Sequence, residues 1–246
     1  KIINLIVENG NINNKVSVIE VGPGKGALTE KILEKKPKEL IVIEKDDSLV
    51  KILDEKFRNK IKIFNEDMMK FSYEKYYREN SIIFGNLPYN ISTQILAKWI
   101  KLKELDKFCK LLILMFQKEV ADRILAESNT KNYGRLSILS NWRMKIHKIL
   151  DIEPNSFDPP PKVKSTLLTF IPKKKFFQLR DPKNLEHITN IFFSQKRKMI
   201  KKPLKILFKN FEEVAQELSI DLKLRPQNLD HYTYYKICEF YEKSIN

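Results

Sequence analysis

Cysteine is nearly absent from this chain. Cys109 and Cys238 are the only two in 246 residues. Both fall in apolar-periodic segments, in no metal-ligand or disulfide spacing, and are expected to be small buried hydrophobes. His147, His187 and His231 have no Cys or carboxylate at ligand spacing either, so no metal site is expected. Long apolar runs are missing too. The longest, Leu111 to Phe116, is far short of the ~20 residues a membrane span needs. No membrane partner is expected. Position 1 is Lys rather than Met, so the native start and any targeting peptide are expected upstream.

Acidic residues are outnumbered as well. Against 46 Lys and Arg stand 31 Asp and Glu, a formal charge of +15, with a pI near 9.6. Such an excess attracts polyanions, of which nucleic acid is the commonest for a soluble protein. Lys, Asn and Ile are over-used throughout, so part of the excess is solvated filler. A hydrophobic content of 42% is enough for one good core and a smaller second one, and argues against disorder.

Runs read as strands at Val16 to Val21, Leu40 to Glu44, Ile61 to Phe64, Ser81 to Phe84 and Leu111 to Phe116. Helical spacing follows at Ala27 to Lys36, Asp47 to Phe57, Thr93 to Leu102 and Lys118 to Ala126. This alternation predicts a parallel sheet covered on both faces. Late strands are expected at Met144 to Leu150 and Thr166 to Phe170, on either side of a Pro-rich loop, Glu153 to Lys164. Beyond Pro172 only helical periodicity appears, at Asn184 to Ile200, Phe211 to Leu218 and Tyr232 to Tyr241. The expected fold is therefore α/β: a Rossmann-like sheet domain over residues 1–172 and a small all-helical domain over 173–246.

The stretch "VIEVGPGKGALTEKIL" is a strand, a glycine turn and a helix. Gly22, Gly24 and Gly26 let backbone approach a ligand closely. Glu44, ending the second strand, suits the two hydroxyls of a ribose. Asp67, ending the third, suits an adenine amine, with the backbone of Met68 nearby. Such sheets bind ligands at this carboxyl edge, which points to an adenosine-containing cofactor. NAD and S-adenosylmethionine both remain open on these residues; Glu20 and the lack of a pyrophosphate-type GxGxxG lean towards the sulfonium. The candidate cofactor-binding set is Glu20, Gly22, Gly24, Gly26, Glu44, Lys45, Asp67, Met68 and Asn86.

The fourth strand ends in "FGNLPYNIST". An adenine exocyclic amine is a poor nucleophile because its lone pair is delocalised into the ring. Acceptors on both of its N–H bonds would orient it, and the Asn86 side chain and Leu87 carbonyl are suited to this. Pro88 fixes the exit from the strand, and Tyr89 offers a face on which a flipped base can stack. A plain turn would account for the Pro, but not for the Asn and Tyr together.

With these residues in view, the chain resembles the small-subunit ribosomal RNA adenine dimethyltransferase family (KsgA-like). The resemblance rests on the two stretches above and on "IVIEKD", "NEDMMKF", "MFQKEVADRI", "YGRLS", "FDPPPKVKSTLLTF" and "FFSQKRKMI", in family order over essentially the whole chain. It implies a Rossmann-like class I methyltransferase domain with a small helical C-terminal domain. The implied reaction is transfer of four methyl groups from S-adenosylmethionine to two adjacent adenosines, in a hairpin near the 3′ end of small-subunit rRNA. It further implies that Gly22, Glu44, Asp67 and Asn86 contact the cofactor, that Asn86 also faces the target amine, and that Tyr89 and Phe157 close on the two faces of the base. The catalytic set is Asn86, Leu87, Pro88, Tyr89 and Phe157. The family's upstream "GQNFL"-type segment, which touches cofactor and substrate, is not among these residues, so full activity is expected to need it. Pro203 interrupts the family's basic helix, and a break or kink is expected there.

RNA-binding candidates are Lys162 and Lys164 near the pocket, and Lys196, Arg197, Lys198, Lys201 and Lys202 in a stretch without acidic residues. The expected partner is small-subunit rRNA within a pre-30S-like particle, met by a monomer. The expected location is bacterial cytoplasm or an organelle of bacterial descent. Three readings compete: a large-subunit rRNA methylase of the antibiotic-resistance type, a DNA adenine methylase, and a non-catalytic assembly or transcription factor that kept the fold.

Overall fold

The computed structural model describes residues 2–72, 81–157 and 160–245. They divide into two compact units, Lys1–Ala121 with Lys145–Lys174, and Asp122–Met144 with Lys175–Asn246.

The first unit is built on a seven-stranded sheet: β1 (Ser17–Val21), β2 (Glu39–Glu44), β3 (Lys62–Asn65), β4 (Ile82–Gly85), β5 (Leu111–Gln117), β6 (Met144–Ile152) and β7 (Ser165–Pro172). The strand order is β3-β2-β1-β4-β5-β7-β6. β1 to β5 run parallel, with Val18 opposite Leu40 and Ile82. β7 runs antiparallel to β5, Ser165 facing Gln117. The sheet is therefore mixed: the five strands of the strand–helix alternation run parallel, as expected, and a later strand reverses. A strand buried on both faces reads as a continuous apolar run in either direction, so the pattern could not reveal this reversal.

Helices α1 (Ile2–Glu8), α2 (Ala27–Glu34), α3 (Asp47–Phe57), α4 (Ser92–Ile100) and α5 (Leu105–Phe108) belong to the same unit, and α6 (Lys118–Leu125) begins in it. Side chains of β1, β2, β4, β5 and β7 form one buried cluster with Ile6 and Val7 of α1 and Ile32 of α2. Each such side chain contributes about 1.5–3 kcal/mol by leaving water, which holds the strand ends in fixed register for the loops they carry.

The second unit contains α7 (Arg135–Arg143), α8 (Pro182–Phe193), α9 (Lys201–Leu207), α10 (Phe211–Glu217) and α11 (His231–Ser244). Residues 122–144, which the strand–helix alternation assigns to the first domain, pack here instead. Tyr235 Oη donates to Ile138 O at 3.0 Å and Trp142 Nε1 to Phe177 O at 2.7 Å. Glu242, buried in α11, accepts from the Arg180 and Asp181 backbone N–H groups at 2.8 and 3.0 Å. Its carboxylate thereby satisfies orphan donors before α8 and complements the dipole of that helix.

The basic stretch departs from expectation. Helix α8 stops at Phe193, and residues 194–200 form turns before α9. Pro203 does not break α9. It is the third helical residue, in the first turn, where its missing N–H has no intrahelical partner to lose.

Candidate functional site

Four strand ends of the first unit converge on one edge. Gly22 leaves β1 with φ +71°, and a Cβ there would lie 3.1 Å from the Asn86 carbonyl oxygen and 3.9 Å from Met68 Cε. The turn after β1 thus touches the segments following β4 and β3 at once. A side chain at position 22 would separate them, and the left-handed conformation disfavours one. Gly24, φ +57°, is different: a Cβ there would meet nothing within 4 Å. That backbone faces open space.

The fourth contributor is Glu44, at the end of β2. Asp46 caps α3 by accepting from Ser48 N and Leu49 N, which folds the chain back. Lys45 N and Asp46 N then reach Glu44 Oε1 at 2.9 and 3.1 Å. Among the described residues Oε2 takes only a long bond from Gly24 N, 3.4 Å. A carboxylate accepts about four hydrogen bonds, so this buried oxygen keeps capacity for hydroxyl donors beside the glycine turn. Lys45 itself is exposed. At the end of β3, Asp67 Oδ1 accepts from Met69 N at 2.8 Å, which orients the carboxyl at the start of the next turn.

Glu20 lies elsewhere. It is 1% exposed and its Oε2 accepts from Thr29 Oγ1 at 2.7 Å, tying β1 to α2 inside the protein. Burial, with a smaller push from Glu44 against the opposing Thr29 bond, raises its pKa to about 7. Gly26 is a packing position: a Cβ there would fall 2.4 Å from Phe57 Cε2.

After β4 the side chains sort by packing. Leu87 folds back against the space left by Gly85, where a Cβ would lie 3.0 Å from Leu87 Cδ2. With Leu87 buried, Asn86 and Pro88 are exposed. Tyr89 is half-buried, its hydroxyl 2.6 Å from Ser165 Oγ at the start of β7. The ring is therefore held at the edge where β5 ends, since Ser165 pairs with Gln117. Phe157 is partly buried against the main core cluster. Asp158 and Pro159 of its motif lie outside the described residues.

The basic candidates separate as well. Lys164 pairs with Glu153 at 2.7 Å on the surface; an exposed pair of this kind is worth roughly 0–1 kcal/mol, so exchange for a phosphate costs little. Lys162 is exposed. In the second unit Lys196, Arg197 and Lys198 sit in the turn after α8 and Lys201 and Lys202 open α9, all exposed and without an ion pair among the described residues. Phe192 and Phe208 point inward.

Sequence reasoning missed Thr29 and Ser165. They anchor Glu20 and Tyr89 from 9 and 76 residues away, and neither spacing follows a helical or strand period.

Among the described residues no group of His, Cys, Asp and Glu side chains could hold a metal ion, and no helix is long and apolar enough to cross a membrane.

A mixed sheet of this order, with a glycine turn after β1 and polar groups after β2, β3 and β4, is that of a class I methyltransferase. The comparisons narrow this. Residues 1–243 match the ribosomal RNA adenine dimethylase family. The chain is 55% identical over 242 residues to the ribosomal RNA small subunit methyltransferase A of Pelagibacter ubique, covering 98% of this chain and 92% of that protein. With the protein of the same name from Ehrlichia ruminantium the identity is 41% over 225 residues, 89% of this chain and 84% of that one. The crystal structure of a dimethyladenosine transferase from Plasmodium falciparum superposes with a TM-score of 0.81 at 26% identity, covering 98% and 95% of the two chains. The 23S rRNA methyltransferase ErmE, with a TM-score of 0.69 at 19% identity, shares the fold. The chain belongs to the ribosomal RNA adenine dimethylase family.

Proposed function

We propose that this enzyme transfers four methyl groups from S-adenosylmethionine to the exocyclic amines of two adjacent adenosines, in a hairpin near the 3′ end of small-subunit rRNA, during assembly of that subunit. One observation carries the reading. The glycine turn, Glu44 and Asn86 meet at a single sheet edge, where a Cβ on Gly22 would lie 3.1 Å from the Asn86 carbonyl oxygen and Glu44 Oε2 faces Gly24 N.

The residues fit the cofactor. Gly24 leaves space for it, Glu44 Oε2 accepts from its ribose, and Asp67 with the Met68 backbone takes its adenine edge. When bound, the cofactor supplies an electrophilic methyl group on a sulfonium. The protein's share is alignment. The Asn86 side-chain oxygen and the Leu87 carbonyl accept the two N–H bonds of the target amine, turning its lone pair towards the methyl group. Burial of Leu87 fixes that carbonyl, and Pro88 limits the chain's freedom after it. Tyr89, tethered through Ser165, stacks on the flipped base, and Phe157 closes the opposite face. No strong base is required, because the proton leaves after the amine has become cationic. The cations at 196–198, 201, 202, 162 and 164 hold phosphates in a salt-dependent manner.

The substrate is a partly assembled small subunit, because a lone hairpin offers little surface to so basic a protein. The enzyme acts as a monomer, in the cytoplasm of a bacterium. The test is tritium transfer from S-adenosylmethionine to unmethylated small subunits, large subunits and free rRNA. Label is expected in small-subunit RNA, on two adjacent adenosines. Label confined to large-subunit RNA would make this a large-subunit methylase, and no transfer to any RNA would favour a non-catalytic assembly factor.

A further inference from the structure

Lys25 has no role in the site as described so far, yet it occupies the middle of the glycine turn. The turn is closed by Gly26 N donating to Pro23 O at 3.0 Å, and Glu30 N then donates to Gly26 O at 3.0 Å as α2 begins. Lys25 is thus held between Gly24, which faces open space, and Gly26, which is packed on Phe57. Its side chain is exposed and has no hydrogen bond or ion pair among the described residues. Two lysines nearby are by contrast engaged: Lys31 pairs with Glu34 at 2.5 Å, and Lys56 reaches across to Glu30 at 2.8 Å.

The charge of the surrounding edge makes the free ammonium informative. Glu44 and Asp67 are both carboxylic. They suit hydroxyls, an amine and a sulfonium. They do not suit the carboxylate that ends the amino-acid arm of the methyl donor. On the S-adenosylmethionine reading, Glu44 after β2 would hold the ribose and Asn86 after β4 would face the reacting methyl. β1 separates those two strands, so the turn that follows β1 would be the part of the chain beside the amino-acid arm. An exposed cation stands in that turn, next to the first N–H groups of an eight-residue helix.

We propose that Lys25 is a binding residue for the α-carboxylate of the methyl donor, and that it sets the enzyme's preference for the full amino-acid arm over adenosine thioethers that lack it. The inference rests on the S-adenosylmethionine reading of the pocket. Lys25 then discriminates at the charged end of the ligand while Glu44 and Asp67 hold the nucleoside end.

The test is calorimetric titration of wild type, Lys25→Met and Lys25→Arg with two probes, S-adenosylhomocysteine and 5′-methylthioadenosine. Both carry the adenosine; only the first carries the carboxylate. A charge-assisted contact at a solvated site predicts that Lys25→Met weakens S-adenosylhomocysteine by about tenfold. Methylthioadenosine affinity should stay unchanged, and Lys25→Arg should recover most of the loss. Equal weakening of both probes, or no weakening of either, overturns the assignment. Intact S-adenosylhomocysteine affinity with weaker rRNA binding overturns it too, in favour of a phosphate contact. If wild type binds neither probe, the reading of the pocket itself fails and this inference goes with it. Unchanged melting temperatures establish that both variants are folded.

Discussion

Glu20 offers a perturbation whose size follows from its surroundings. Its carboxyl is buried between β1 and α2, and burial moves its pKa from the ordinary 4.5 to about 7. A carboxyl whose folded pKa lies above its unfolded one contributes stability that is fully present below pH 4.5. That contribution is lost as the pH rises through about 7. At about 1.4 kcal/mol for each pH unit between the two values, the loss amounts to about 3 kcal/mol. Glu20→Gln keeps the shape and an oxygen to accept the Thr29 hydroxyl, but does not ionise. Urea unfolding of both proteins at intervals from pH 4.5 to 8 measures the difference directly. The variant should gain on wild type steadily across that window, by about 3 kcal/mol in total. Lowered carboxyls such as Asp46 and Asp151 act in the opposite sense and at lower pH, and they cancel in the comparison. Parallel pH profiles for the two proteins would refute the reasoning, because they would mean that Glu20 ionises without cost.

Two further substitutions probe the sheet edge. Gly22→Ala places a methyl 3.1 Å from the Asn86 carbonyl at φ +71°; it should cost about 1–2 kcal/mol of stability from the backbone conformation and weaken S-adenosylhomocysteine by more, which melting and titration would separate. Tyr89→Phe removes the 2.6 Å bond to Ser165 and should cost about 1 kcal/mol of stability with transfer largely kept, whereas Tyr89→Ala should lose a further 1–3 kcal/mol of substrate binding, roughly the value of one stacked base. Equal loss of rRNA affinity in Phe and Ala variants would show that the hydroxyl, not the ring, matters.

Much of the first unit was legible because its strands are short apolar runs closed by chemically distinctive ends. Gly22, Glu44, Asp67 and Asn86 each stand where a run of Val, Ile or Phe stops, and the structure gathers those ends at one edge. What stayed hidden has physical causes. Helix α7 buries Ser137, Ser140 and Arg143 beside Ile138, Leu139 and Trp142, so polar residues dilute its apolar period, and its packing with α8 and α11 left no clear mark on the sequence. Glu20 looks like a ligand group in a strand, and only the Thr29 contact shows it to be interior. Pro203 reads as a breaker because a proline's effect depends on its position in the helix, which is set by where the preceding turns end. Lys25 looks like one more lysine in a lysine-rich chain; its distinction is its place between Gly24, which faces open space, and Gly26, which is packed on Phe57.

The central claim is that Asn86 presents the target amine to the methyl donor from the edge shared with the glycine turn. Single-turnover methyl transfer to small subunits, measured beside S-adenosylhomocysteine affinity for wild type and Asn86→Ala, tests it most directly. Transfer should fall by a factor on the order of a hundred or more, the loss typical of a positioned polar group acting in the transition state, while the cofactor product still binds. Transfer at the wild-type rate by Asn86→Ala would contradict the account.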